Sequence, residues 1–169
     1  MNTSEVLLQD FDIEIASTRR TLERVPDSKD KAEYKPHEKS FTFGKLAVHV
    51  AELPKFGTTI LTTPLLDMAA NKWPEKVFVS REKLLADFDA LAAEARAALA
   101  ASSDADLAAL WKLSFGEKVI VESPRSLAFR HMFFNHLIHH RAQLGVYLRL
   151  NDIPVPGVYG PSADEPFKP

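Results

Sequence analysis

Four of the six histidines in this 169-residue chain, His131, His136, His139 and His140, fall within ten consecutive residues. Imidazole is the side chain that best combines proton transfer near neutral pH with divalent-metal ligation. His136 and His140 are four apart, so on a helix their Cβ atoms are about 5–6 Å from each other and the two rings can converge on one ion. At about 100° per residue, His131 points well away from His136, and His139 lies on the flank of the pair. Phe133, Leu144 and Tyr147 share the side of His136 and His140, which aims the pair at an apolar interior. His49 occupies a matching inward position, between Leu46 and Leu53 on another amphipathic segment. Three neutral imidazoles from two helices make an open metal site, with positions left for water or substrate. The competing reading is a set of hydrogen-bonded core-edge histidines with no ion. Burying three imidazoles is costly unless each ring nitrogen finds a partner, and one metal ion satisfies three of them together.

Other chemistries are excluded by composition. With no Cys there is no disulfide framework, thiolate nucleophile or Cys-ligated zinc or iron–sulfur site. Between His136 and His140 stand Leu137, Ile138 and His139, so the Glu of an HEXXH metalloprotease has no counterpart. The 21 basic and 23 acidic residues, net charge −2, provide no phosphate-tracking stripe, and nucleic acid is not an expected partner. The N-terminus, MNTSEVLLQDFDIE, lacks the basic region of a signal peptide, and no uncharged run is long enough to span a bilayer, so a cytoplasmic location without membrane contact is expected.

The elements that must position these histidines are four amphipathic segments. The first opens at Asn2, a capping residue with Glu5 three positions on, and carries Leu8, Phe11, Ile15, Thr18, Leu22 and Val25 on one stripe. After Pro26 and the polar loop DSKDKAEYKPHEK, with Ser40 or Thr42 as cap, a second runs from about Phe43 to Leu61 with His49 on its inner face. Pro54 lies inside it and is expected to kink or break it. The third starts at Ser80 and carries Leu84, Phe88, Leu91, Ala95 and Leu99. WKLSF and KVIVE flank Gly116-Glu117 and predict a short β-hairpin. Ser123-Pro124 then starts the last helix, which runs to about Asn151. The remainder, 152–169, is too rich in Pro and Gly for regular structure and is expected as an ordered or partly frayed tail. With 46% apolar and 26% charged residues, the chain can close one core. The expected fold is all-α: a single-domain (1–169) four-helix bundle with the hairpin in the crossover before the last helix.

The segments PHEKSFTFGKLAVHVAELP and NHLIHHRAQLGVYLRLNDIPVPGVYGPSADE closely resemble the DinB-like superfamily of bacterial four-helix-bundle metalloproteins, which includes the YfiT-like and thiol-transferase branches. The resemblance covers nearly the whole chain. It implies a divalent metal, usually zinc or nickel, on one His of the second helix and the two His of the last helix's HxxxH. Those positions are His49, His136 and His140, the three already reached from helical geometry. It further implies a homodimer, and a last helix lying between the first and second. The thiol-transferase branch implies a low-molecular-weight thiol such as bacillithiol or mycothiol as co-substrate.

Around the three ligands, Glu52 is one turn after His49 and can orient its ring, or it is a solvated surface Glu. Gln143, one turn after His140, can line the cavity or orient a bound water. Arg141 points off that face and reads as a structural ion-pair partner or dimer contact; Asn135 fits either role. Trp73 and Tyr147 are cavity wall or plain core. An open tri-His centre can polarise a carbonyl, lower the pKa of bound water toward about 7, or deliver a thiolate. The leading functional expectation is therefore a metal-dependent enzyme of thiol S-transferase or hydrolase type acting on a small-molecule substrate. The alternative is a non-catalytic metal-binding stress-response protein, whose structural ion would call for a fourth protein ligand such as Glu52 or His139.

Overall fold

Asn2 caps the first helix of the computed structural model as its spacing to Glu5 predicts: the Asn2 side chain accepts from the Glu5 N–H, and the Glu5 carboxylate accepts from the Asn2 N–H. The structure describes residues 2–72 and 74–167. Helix α1 spans Thr3–Leu22, α2 is a single turn at Lys29–Ala32, and α3 spans Phe43–Thr62 behind the Thr42 cap. Strand β1 (Leu65–Asp67) follows, then α4 (Arg81–Ala101), capped by Ser80, and the short α5 (Asp104–Ala108). Strands β2 (Leu110–Phe115) and β3 (Lys118–Pro124) lead into α6 (Arg125–Ala128), a π-helical segment (Phe129–Phe134) and α7 (Asn135–Leu150). Each polar cap that replaces an unpaired helix N–H is worth about 1 kcal/mol.

The protein is mostly helical with a small three-stranded sheet. Helix α4 packs on both α1 and α3, and α7 likewise packs on both α1 and α3. Leu7 and Phe11 of α1, Leu46, Val50 and Ile60 of α3, Phe88 and Leu99 of α4, and Phe133, Leu137 and Leu144 of the last helix fill the space between them. No helix among the described residues is long and apolar enough to cross a membrane.

Three expectations need correction. The sheet is not a simple hairpin: β2 and β3 pair antiparallel around Gly116 as expected, but β1 pairs parallel to β2, with Leu65 opposite Lys112. Three residues are too few to show a strand period, and their partners lie almost fifty positions away in sequence. Pro54 does not break α3, which is continuous through it. Pro54 itself is buried, and Val50, Ala51, Leu53, Gly57 and Ile60 on either side are anchored in the core, so packing offsets the missing N–H bond. Finally, the last helix is not uniform. Its π-helical segment, where the Asn135 N–H reaches Arg130 O, carries a run of buried aromatics, Phe129, Phe133 and Phe134. An inserted π turn leaves no periodic mark in the sequence, and such turns are frequent beside functional residues.

The tail is docked rather than frayed over its described residues. Arg20 donates to Gly157 O at 3.0 Å, Arg24 pairs with Glu165 at 2.8 Å, and Tyr159 donates to the Glu14 carboxylate at 2.7 and 2.8 Å. Arg141, only 4% exposed, completes this contact: it pairs with Glu14 at 2.7 Å and donates to the Tyr159 hydroxyl at 2.6 Å. Arg141 is thus a structural partner of α1 and the tail.

Candidate metal centre

Helix α3 presents His49 and α7 presents His136 and His140 to one point between them. One ring nitrogen of each lies within 4.8 Å of the other two, and the three are half-buried. The Nε2 atoms of His49 and His136 are 3.3 Å apart. Two nitrogens about 2.0–2.1 Å from a common ion at a tetrahedral angle would be separated by about 3.3–3.4 Å, so this spacing fits two ligands on one ion as well as a hydrogen bond between the two rings. The ring centroids lie 5.1 Å apart for His49 and His136, 4.4 Å for His49 and His140, and 4.6 Å for His136 and His140.

Two of the rings are held from behind. His140 Nδ1 is 2.7 Å from Gln143 Oε1, and since an amide oxygen only accepts, Nδ1 carries the proton and the Nε2 lone pair is left free. The His136 ring bonds to the Met132 carbonyl in the π-helical segment. Such outer bonds fix the tautomer and the ring plane of a metal-ligating imidazole. Protonation is disfavoured at all three. Burial is the main cause for His49, whose pKa is pushed down to about 3, with smaller contributions from the neighbouring His140 and His136 rings and from Lys76. Burial also lowers His136 and His140, opposed by the Met132 bond in the first and the Gln143 bond in the second. Neutral rings with converging lone pairs are the donor set that a divalent ion requires, and the residues fit that group.

The remaining expected residues divide clearly. Glu52 is turned to Lys76, with which it forms an ion pair, and the structure places no Glu52–His49 hydrogen bond. The 74–79 segment that supplies Lys76 carries no periodic signal, which is why this competitor for Glu52 escaped the sequence. His139 is exposed; its ring lies 4.8 Å from that of His140, but it is outside the converging group. Asn135 and His131 are exposed, and His37 accepts a backbone N–H from Lys39. Tyr147 is both core and wall: it is buried, and its hydroxyl donates to Phe41 O at 3.0 Å. Trp73 lies outside the described residues. Sequence reasoning missed Phe41, whose ring meets His49 edge-on at 6.0 Å and carries the Lys45 ammonium 5.2 Å from its centroid. It also missed the Met132 carbonyl, and a backbone acceptor has no sequence signature. Beside His140 and Gln143 a cavity of about 390 Å³ opens to solvent.

The DinB family model matches residues 1–167. Among solved structures, the chain is similar to a DinB-like protein from Bacillus cereus ATCC 10987, 23% identical over 92% of this chain and 97% of that one, with a TM-score of 0.68. It is also similar to a DinB-like protein from Bacillus subtilis, 19% identical over 87% of this chain and 94% of the other, with a TM-score of 0.64. At these identities the likeness is one of fold. No curated protein matches the chain.

Proposed function

The chain belongs to the DinB family, and from that premise we propose that it holds one divalent metal ion, zinc or nickel, on His49, His136 and His140 and uses it in a transferase or hydrolase reaction. The observation that carries this reading is the convergence of three imidazole nitrogens held neutral, two of them oriented from behind. An ion bound there supplies Lewis acidity, which activates a thiol or water and polarises a carbonyl.

The protein's own residues have separate tasks. The Gln143 amide and the Met132 carbonyl keep the N–H groups of His140 and His136 turned away from the centre, so the lone pairs of those two rings point inward before any ion arrives. The apolar packing around α3 and α7 desolvates the rings and keeps them unprotonated. Among the described residues no fourth side chain closes the centre, because Glu52 is engaged by Lys76 and His139 is outside the group. That openness favours turnover over a purely structural ion, for which a closed shell is usual.

We further propose that the ring of four long helices is a single-domain four-helix bundle that works in the cytoplasm as a homodimer, on a small molecule that includes a low-molecular-weight thiol. The deciding assay is conjugation of a bacillithiol- or glutathione-type thiol to a panel of electrophiles, with an ester panel beside it, using metal-loaded protein. The expected result is turnover that is lost in His136→Ala. Equal rates for wild type and His136→Ala on every substrate refute the enzymatic reading.

A further inference from the structure

The cavity beside the three histidines has a composition of its own. It is lined by His140 and the exposed Gln143 together with the apolar side chains of Phe41, Leu46, Val146 and Tyr147. Lys39 and Ser40 complete the lining, and Lys39 is the one formally charged side chain among them. No acidic side chain among the described residues pairs with the Lys39 ammonium. The volume, about 390 Å³, lies in the range of small-molecule sites. Phe41 and Tyr147 are fixed relative to each other by the hydroxyl-to-carbonyl bond that joins them, so this part of the wall exists before a ligand arrives.

Each neighbouring residue constrains what the cavity accepts. Four apolar walls favour a hydrocarbon body of several carbons. A single uncompensated cation selects a negative group and discriminates against cations. The Gln143 amide oxygen is committed to His140, which leaves its NH2 group as a neutral donor that also suits an anion. We propose that this cavity binds the body of the substrate, and that the substrate is a small organic anion whose apolar segment lies along Phe41, Leu46, Val146 and Tyr147 while its carboxylate meets Lys39. This rests on the metal-centre reading for its catalytic meaning, since it makes the cavity the approach to His140. The binding itself requires no ion.

The test uses the full chain, with and without one equivalent of zinc, and the probes acetate, hexanoate and hexan-1-ol, followed by calorimetry and by the NMR signals of the Val146 methyls and the Tyr147 ring. Each buried methylene tightens binding by about fourfold, so hexanoate should bind at least about tenfold more tightly than acetate even with its chain partly covered. Lys39→Gln should weaken hexanoate by about fivefold and leave hexan-1-ol within about twofold, the scale of one exposed charge contact. Val146→Phe, at a half-exposed helix position, should fill the cavity and weaken both. The inference is overturned if hexanoate binds no better than acetate, if the shifts fall elsewhere, or if Lys39→Gln changes neither ligand. Binding that appears only with zinc and survives Lys39→Gln places the carboxylate on the ion and overturns the Lys39 assignment. Zinc uptake by the same samples keeps the two readings apart: a chain that takes up no zinc fails as a metal protein, whereas one that takes it up but shows no dependence on chain length or Lys39 overturns only this inference.

Discussion

Acidification of the metal-free protein from about pH 7.5 to about pH 5 should destabilise it through His49 in particular. In the folded chain this ring is held to about 3 by burial and by its two histidine neighbours, against 6.5 when unfolded. Between those values the unfolded chain takes up a proton that the folded chain refuses, so stability present above 6.5 is lost progressively as the pH falls toward 3. At pH 5 the unfolded ring has gained about 1.5 pH units of protonation free energy, or about 2 kcal/mol, and solvent screening at a half-buried site reduces this to about 1 kcal/mol. Urea unfolding of metal-free wild type and His49→Gln at the two pH values isolates the contribution. Wild type should lose about 1 kcal/mol more than the variant, because glutamine does not titrate. Equal losses in the two proteins would refute the claim that this ring is kept neutral by its surroundings.

Gln143→Leu removes the acceptor that orients His140 and should weaken zinc binding by about tenfold, while His139→Ala should leave it unchanged; competition with a chromogenic chelator measures both. Arg141→Met leaves the Glu14 carboxylate buried with only the Tyr159 hydroxyl and should cost about 3 kcal/mol. The same change should free the 152–167 tail to limited proteolysis, and adding Glu14→Gln should recover part of the loss. Gly57→Ala would place a Cβ 3.1 Å from both the Phe129 and Phe133 rings, where fully buried aromatics of the π-helical segment meet α3. Thermal unfolding should report about 1–2 kcal/mol of destabilisation.

The parts of this molecule that could be read from its sequence are those encoded by local period. The stripe of Phe11, Thr18 and Leu22, the caps Asn2, Thr42 and Ser80, and the four-residue spacing of His136 and His140 each follow from one turn of helix, and the structure places them accordingly. What escaped depends on contacts between distant segments. Glu52 sits where it could serve His49, yet Lys76, twenty-four residues later, takes its carboxylate. β1 is defined by Lys112 and Leu113, and without them Leu65-Leu66 is merely a polar loop's apolar interruption. Of the kink or break expected at Pro54, the break is absent for a related reason: local propensity disfavours the helix, and core burial on both sides outweighs it. The π-helical segment, and with it the Met132 carbonyl behind His136, is set by how Phe129, Phe133 and Phe134 pack, which no residue spacing announces.

Metal stoichiometry of tag-free protein, equilibrated with zinc or nickel and freed of excess by gel filtration, tests the central claim most directly. One divalent ion per chain in the wild type, lost in His49→Ala although that variant remains folded, is the predicted result. A folded wild type that carries no stoichiometric ion, or a His49→Ala protein with undiminished occupancy, would contradict it.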